Sequence, residues 1–486
     1  MRRSLHAPQA ALQSRLNGKQ HLTWELPMLR YRQALEAIFQ RTDYERQEQP
    51  PYTERVWRLG RMEELLEQLG NPQRAMRAMH VAGTKGKGST TAMIESVLRA
   101  AGYHTGMYTS PHLHTFRERI RVDGQLIPEE DVARLVERLA PPLATRPEVT
   151  VFEIITALAM CYFADRQTEL EVFEVGMGGR LDATNVLRPL VSVITSISLD
   201  HVKVLGDTVE AIAREKAGIV KPGVPVVTAP QQTGAMQVIR EAADRCNAPL
   251  VVVGQDWCWR SLRADLGAQR FAVFRQGHEA DPEYPELSIP LLGVYQLENA
   301  CTVVAAIEVL RGIGLPIGAQ AVREGLATVR WPGRLEVLGQ RPLVVVDGAH
   351  NPYSVERMLR ALRDHLRYEQ LIVVFGASMT HNPENLLALL LPPAHSLLVT
   401  QAHHPKATPA ADLKAMAAAL GRTASTEDTV RAALRRALAD AGPADLVLVT
   451  GSLFVVAEAE EAWAELQGLP AFPADPPGVY DVPTTR

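Results

Sequence analysis

Met79-His-Val-Ala-Gly-Thr-Lys-Gly-Lys-Gly-Ser-Thr90 sets an apolar run, a glycine-rich turn and the start of an amphipathic pattern in immediate succession. Met79–Val81 reads as the end of a strand, and Ser89 to Ala101 carries a helical period. The turn Gly83-Thr84-Lys85-Gly86-Lys87-Gly88-Ser89-Thr90 lies between them. Backbone N–H groups of such a loop point at phosphate oxygens, and the helix N-terminus behind it adds a positive dipole. Lys87 is placed to reach terminal phosphates as a point charge, with the Ser89 or Thr90 hydroxyl assisting. The full Gly-x-x-x-x-Gly-Lys-Ser/Thr pattern is not met: Gly83 stands three positions before Gly86, and Gly88 separates Lys87 from Ser89. A bare flexible Gly/Ser loop has the same composition. The strand–loop–helix setting favours ATP.

Outward from this loop, β-branched runs alternate with helical stretches. Strands are expected at Thr105–Thr109, Leu170–Glu174, Val191–Ser196 and Val224–Thr228, and helices at Ile154–Asp165, Val209–Gly218, Met236–Cys246 and Gln296–Gly312. Residues 251–290 break into short aromatic pieces, read as a small β-rich excursion. Alternation of this kind implies a parallel sheet covered on both faces. Arg330-Trp-Pro-Gly333 looks like a joint, after which the alternation restarts at Leu343–Val346, Ser354–His365, Leu371–Phe375, Pro383–Leu391 and Ser396–Thr400. It ends with helices near Ala410–Leu420 and Thr429–Ala441 and a strand at Leu446–Val449. The expected division is an N-terminal arm (1–28), disordered by its composition; a P-loop NTPase-type α/β unit (29–330); a smaller Rossmann-like α/β unit (331–468); and a proline-rich tail (469–486) running extended over the surface.

Composition narrows the class. Lys+Arg 51 against Asp+Glu 55 is nearly balanced, which argues against nucleic-acid binding through bulk charge. The four cysteines, Cys161, Cys246, Cys258 and Cys301, are widely spaced and form no Cys-x-x-Cys, so neither a disulfide scaffold nor a zinc ribbon is expected and a cytoplasmic setting fits. No apolar run of about 18 residues occurs.

Other polar residues fall where predicted strands give out, the place where parallel sheets bind ligands. Glu174 ends one strand and is a candidate metal ligand, with an ion-paired structural carboxylate as the plain alternative. Gly176-Met-Gly-Gly179 follows it, but a dinucleotide fingerprint needs glycine where Leu181 stands, and Asp182 and Asn185 suggest a loop. Asp200-His201 and Asp347-Gly-Ala-His-Asn-Pro352 follow two further strands. Lys216 sits on a helix, where an ordinary solvated lysine is the plain reading. His403 and His404 are adjacent and face apart, which disfavours a chelate. Residue chemistry alone thus points to an ATP- and magnesium-dependent α/β enzyme with a cleft between two domains.

Taken together, the ordered motifs are more specific. His80-Val-Ala-Gly-Thr-Lys-Gly-Lys-Gly-Ser89, Tyr108-Thr-Ser-Pro-His112, Glu174-Val-Gly-Met-Gly-Gly-Arg-Leu-Asp-Ala-Thr-Asn185, Leu199-Asp-His201, Glu215-Lys-Ala-Gly218, Pro332-Gly-Arg334, Asp347–Pro352 and Thr450-Gly-Ser452 occur in that order. The series closely resembles the folylpolyglutamate synthase/dihydrofolate synthase family of the Mur ligase superfamily, from about Leu29 to Trp463. The resemblance implies an ATP-dependent amide ligase working through an acyl phosphate, with ATP as co-substrate and two magnesium ions. It assigns Thr84, Lys85, Gly86, Lys87, Gly88, Ser89, Asn299, Arg334 and Asp347 to the nucleotide, and Ser110, Glu174, His201 and Lys216 to metal. Lys216 matches a lysine that is often carbamylated in this family, and Lys87, Lys216 and His350 are the implied catalytic residues. His350 and Ser452 are placed near the transferred phosphate and the incoming L-glutamate. Two positions depart from the family pattern: Lys85 stands where Asn is usual, and Lys406 where Arg is expected.

The acceptor divides the family between dihydropteroate and tetrahydrofolate. Thr150-Val-Phe152-Glu and Leu181-Asp182-Ala183 resemble segments that hold the pterin in bifunctional bacterial enzymes, with Phe152 able to stack and Asp182 to accept hydrogen bonds. The bifunctional reading is therefore expected. A single-activity enzyme of either kind and, more remotely, a Mur-type ligase of a UDP-sugar are the alternatives. The expected molecule is a cytoplasmic monomer with no nucleic-acid or membrane partner.

Overall fold

The computed structural model describes residues 30–47 and 49–480, so the arm expected at 1–28 lies outside the described residues. The first unit is an eight-stranded sheet: β1 (Ala78–Ala82), β2 (Thr105–Tyr108), β3 (Ile120–Val122), β4 (Gln125–Leu126), β5 (Leu170–Glu174), β6 (Val191–Ile194), β7 (Val226–Thr228) and β8 (Leu250–Val252). Its order is β4-β3-β2-β5-β1-β6-β7-β8, parallel from β2 to β8, with β3 and β4 added antiparallel at one edge. Every residue of β1, β2, β5 and β6 is buried, as a sheet covered on both faces requires. One layer packs the helix Val151–Arg166 against the sheet; the other packs Lys87–Ala100 and Val294–Gly312.

Element bounds shift for local reasons. The strand expected at Val224 begins at Val226, because Pro225 has no N–H to give the ladder; its carbonyl still accepts from the Ser192 N–H at 2.9 Å. The strand expected to reach Ser196 stops at Ile194, and the Ser196 carbonyl turns to the glycine-rich loop after β1. The aromatic excursion is a three-stranded antiparallel sheet of β9 (Trp257–Ala264), β10 (Gln269–Arg275) and β11 (Tyr284–Ile289).

Beyond Trp331 the chain enters a second sheet: β12 (Glu336–Gln340), β13 (Leu343–Asp347), β14 (Leu371–Phe375), β15 (Ser396–Val399), β16 (Ser425–Thr426) and β17 (Leu446–Thr450). The order is β12-β13-β17-β14-β15-β16, parallel except for β12. β13 ends facing the first unit, and β17 ends beside it, the Thr450 hydroxyl donating to the Asp347 carbonyl at 2.8 Å. No described helix is long and apolar enough to cross a membrane.

Over the part described, the proline-rich tail has no helix and stays mostly exposed, but it is anchored at its far end. It folds back onto the first unit and buries Val479 completely. The Asp475 carboxylate accepts from the Tyr31 hydroxyl at 2.6 Å, the Thr115 hydroxyl at 2.7 Å, the Phe116 N–H at 2.7 Å and the Tyr480 hydroxyl. Tyr480 meets Phe39 edge-on at 4.8 Å, and Phe472 stacks on His114 at 4.0 Å. Proline excludes a helix here; a charged buckle and two aromatic contacts fix the extended chain. Asp475→Ala leaves those donors without their shared acceptor and is expected to destabilise the fold by roughly 2–4 kcal/mol, read as a lower urea midpoint with an unchanged slope.

Candidate active site

The loop after β1 is held by two glycines and two carbonyls. Gly83 (φ +150°) lies so close to β6 that a Cβ would sit 1.8 Å from Thr195 Oγ1, and Gly86 (φ +91°) would meet Asn299 Oδ1 at 2.4 Å. The Thr84 and Lys85 N–H groups both donate to the Ser196 carbonyl, at 2.9 and 3.1 Å. Thr84 Oγ1 donates to the Ser198 carbonyl at 3.1 Å. With Gly86 in the left-handed region as its cap, the helix begins at Lys87 rather than Ser89, so Lys87, Gly88 and Ser89 form its first turn. Asn299 Nδ2 donates to Gln296 Oε1 at 3.0 Å, and Gln296 Nε2 donates to Ser89 Oγ at 3.3 Å. These contacts bring Asn299 beside the loop.

Charged groups ring this turn. Glu174, at the end of β5, is buried, and its Oε2 accepts from the Ser110 N–H at 3.1 Å. Burial raises its pKa, while Lys87 and Arg334 pull it down. Lys216 is buried as well, contrary to the solvated reading: its helix ends there, and Nζ donates to the Gly83 carbonyl at 2.8 Å. Burial first, then the nearby Lys87 charge, lower its pKa to about 7. Lys85 Nζ pairs with Asp200 Oδ2 at 3.0 Å and also donates to His350 Nε2 at 3.1 Å. Despite burial, the Lys85 charge holds Asp200 well below the usual carboxylate range. His201 lies exposed at the start of the short helix Val202–Leu205, its N–H on Asp200 Oδ1 at 3.1 Å. The structure thus joins Ser110 to Glu174, and His201 to Asp200. Among the described residues no three His, Cys, Asp or Glu side chains gather as a metal site.

The second unit faces the loop with the carboxyl ends of β13 and β17. Asp347 is buried and receives the Leu335 and Ala349 N–H groups, each at 2.8 Å, while the Arg334 charge offsets part of its burial. Arg334 lines the same cleft wall as Trp331, Thr109 and Leu453. Since a carbonyl only accepts, the 2.7 Å contact from His350 Nδ1 to the Gly348 carbonyl puts the proton on Nδ1 and leaves Nε2 to accept from Lys85. Ser452 Oγ caps the helix Leu453–Leu466 through the Phe454 N–H and lines a small cavity with His404, Phe454 and Ser378. Lys406 Nζ donates across to the Glu45 carbonyl at 2.7 Å.

The expected acceptor segments converge on a different wall. Phe152 lies against Gly176, where a Cβ would meet its ring at 2.5 Å. Thr150 caps the helix Val151–Arg166 in a reciprocal box with Glu153, so its hydroxyl already has a structural role. Asp182 caps the turn Ala183–Val186 and accepts from the Met177 N–H at 3.0 Å. Tyr52, which sequence reasoning missed, accepts from the Leu181 N–H at 3.0 Å and donates to the Met177 carbonyl at 3.3 Å. A tyrosine in a proline-flanked loop carries no local signal for such a partner. Trp331, against Gly88, was legible only as part of the joint.

Comparison with known proteins places these residues in context. Residues 81–307 match the Mur ligase middle domain, and residues 333–453 match the Mur ligase, glutamate ligase domain. The chain is 38% identical over 407 residues to the dihydrofolate synthase/folylpolyglutamate synthase of Bacillus subtilis, covering 82% of this chain and 93% of that one. It is 38% identical over 448 residues to a probable bifunctional folylpolyglutamate synthase/dihydropteroate synthase of Haloferax volcanii, covering 90% of this chain and 51% of that protein. The structure of E. coli FolC in complex with DHPP and ADP superposes with a TM-score of 0.77 at 30% identity, covering 90% of this chain and 99% of that one.

Proposed function

Because the chain belongs to the folylpolyglutamate synthase/dihydrofolate synthase family of Mur ligases, we propose that it uses ATP to join L-glutamate to a folate and also to dihydropteroate, as a cytoplasmic monomer. The observation that carries this is the glycine loop at the end of buried β1, with Lys87 opening the next helix and Arg334, Asp347 and His350 of the second unit facing it. In this assignment Thr84, the backbone of Gly86 to Ser89, the Lys87 ammonium and Asn299 hold the phosphates, while Arg334 and Asp347 take the rest of the nucleotide.

The donor chemistry fits magnesium. Glu174 is a buried carboxylate whose charge burial disfavours and a cation would stabilise, and the Ser110 hydroxyl adds a hard oxygen. Ser110, Glu174 and His201 would hold one ion, and a carbamylated Lys216 a second. Bound magnesium would offset the negative charge that spreads over the transferred phosphoryl group. Lys216 suits carbamylation because a buried amine with a pKa near 7 is partly neutral at neutral pH. Its nitrogen attacks carbon dioxide and gives up a proton, leaving N–CO2⁻.

The chain's own residues then position the reaction. A carboxylate is a poor acyl donor. Its oxygen attacks the γ-phosphorus, ADP leaves, and an acyl phosphate forms, with Lys87 neutralising charge on the moving phosphoryl group. The glutamate amine attacks the acyl carbon, the tetrahedral adduct expels phosphate, and the amine proton is released. His350, with Nδ1 fixed on the Gly348 carbonyl, presents Nε2 to the cleft, and the small cavity lined by Ser452, His404 and Phe454 receives the incoming glutamate in this reading. Phe152, Leu181, Asp182 and Ala183, with Thr150 behind them, form the pterin wall. That wall supports the bifunctional reading over a single activity.

The test is phosphate release from Mg-ATP with L-glutamate, offering 7,8-dihydropteroate or tetrahydrofolate. Turnover with both is expected, and turnover with one would reduce the assignment to that activity. Turnover only with a UDP-sugar would overturn it.

A further inference from the structure

The surroundings of Lys85 point to a role other than phosphate binding. Its backbone N–H is tied to the Ser196 carbonyl, which fixes the direction in which the side chain leaves the loop. The ammonium then lies between Asp200 Oδ2 of the first unit, at 3.0 Å, and His350 Nε2 of the second, at 3.1 Å. Both neighbours are themselves anchored. Asp200 Oδ1 accepts the His201 N–H at 3.1 Å, and His350 is held by the Gly348 carbonyl at 2.7 Å and by the Ser354 hydroxyl, which accepts the His350 N–H at 3.2 Å. Lys85 and Asp200 keep only 18% and 11% of their side-chain surface, so the pair is largely shielded from water. An ammonium has three donors and no acceptor, and it suits a carboxylate on one side and a histidine lone pair on the other.

We infer that Lys85 is a positioning residue that seats His350 against Asp200 across the cleft, so that the two units close in one register around the reacting phosphoryl group. It acts through His350 and leaves phosphate binding to the loop amides and Lys87. This inference rests on the ligase reading above.

The test compares Lys85→Met and Lys85→Arg with His350→Gln and the Lys85→Met/His350→Gln double variant, each checked for folding by thermal melt. Lys85→Met is expected to bind the non-hydrolysable analogue AMPPCP within about threefold of wild type while kcat falls at least about tenfold. Lys85→Arg, which keeps the charge, should recover most of that loss. The double variant should be no slower than His350→Gln alone within about threefold, because one contact is removed twice. A tenfold or larger loss of AMPPCP affinity with multiplicative losses in the double variant would make Lys85 an independent phosphate ligand and overturn the inference. Unchanged turnover in Lys85→Met would overturn it too. If the wild type itself releases no glutamate-dependent phosphate, the ligase reading has failed. Amide hydrogen exchange across residues 348–354 still decides the positioning claim, since protection there should fall in Lys85→Met, and unchanged protection would refute it.

Discussion

Glu174→Ala is expected to lower glutamate-dependent phosphate release by at least about 10³-fold while the protein stays folded. The two halves of that expectation have separate physical grounds. Glu174 is buried at the end of β5, with the Lys87 and Arg334 charges acting on it, so its loss removes the negative charge that would hold magnesium beside the phosphate loop. Its structural role is smaller. The described hydrogen bond it accepts comes from the Ser110 N–H, and leaving that donor unpaired costs roughly 1–3 kcal/mol, partly offset because a carboxylate is no longer confined away from water. Glu174→Gln separates the effects further: the amide oxygen still accepts from Ser110, so the melt should stay near wild type while activity falls as far. Retained turnover in either variant removes Glu174 from the cation site.

Lys216→Ala is expected to lower kcat by at least about 10²-fold, and millimolar acetate or another short carboxylate should restore part of it. The buried amine lies against the Gly83 carbonyl, and a carbamate on it keeps an N–H for that carbonyl while presenting two oxygens beyond. A small carboxylate fits the space the shortened side chain leaves. The pH dependence has a definite sign. Burial and the Lys87 charge lower the pKa of the amine to about 7, so below that pH the amine is protonated and cannot take up carbon dioxide. Wild-type enzyme stripped of bicarbonate should therefore recover activity slowly or not at all near pH 6 when bicarbonate is returned, and quickly near pH 8. An unaffected Lys216→Ala variant removes the carbamate, and loss without rescue by any carboxylate reduces Lys216 to the loop contact it makes with Gly83.

Much of the site was legible because its parts are local. β1, the glycine turn and the helix from Lys87 are consecutive, and β1, β5 and β6 are short, fully buried and mostly apolar, interrupted within by His80, Glu171 and Ser192. The eight ordered motifs then assigned the family. What escaped reading depends on partners distant in the chain. Lys85 is 115 residues from Asp200 and 265 from His350, and Tyr52 lies 129 residues from the Leu181 N–H it receives. Hydrophobic periodicity reports which face is buried, not which polar group waits there. The tail shows the same limit: its prolines excluded a helix, but the 444-residue separation of Asp475 from Tyr31 hid the dock. Lys216 read as an ordinary helical lysine because burial there comes from the phosphate loop packing on it rather than from its own helix.

Formation of an acyl phosphate on the acceptor's carboxylate is the step on which every role above depends. Its most direct measurement uses dihydropteroate or a folate labelled with ¹⁸O in the reacting carboxylate, with Mg-ATP and L-glutamate, and follows the label into released phosphate by mass spectrometry. Transfer of one labelled oxygen per amide bond formed is the predicted result. Amide formation with unlabelled phosphate would mean that the carboxylate never attacks the γ-phosphorus, and would contradict the mechanism at its first step.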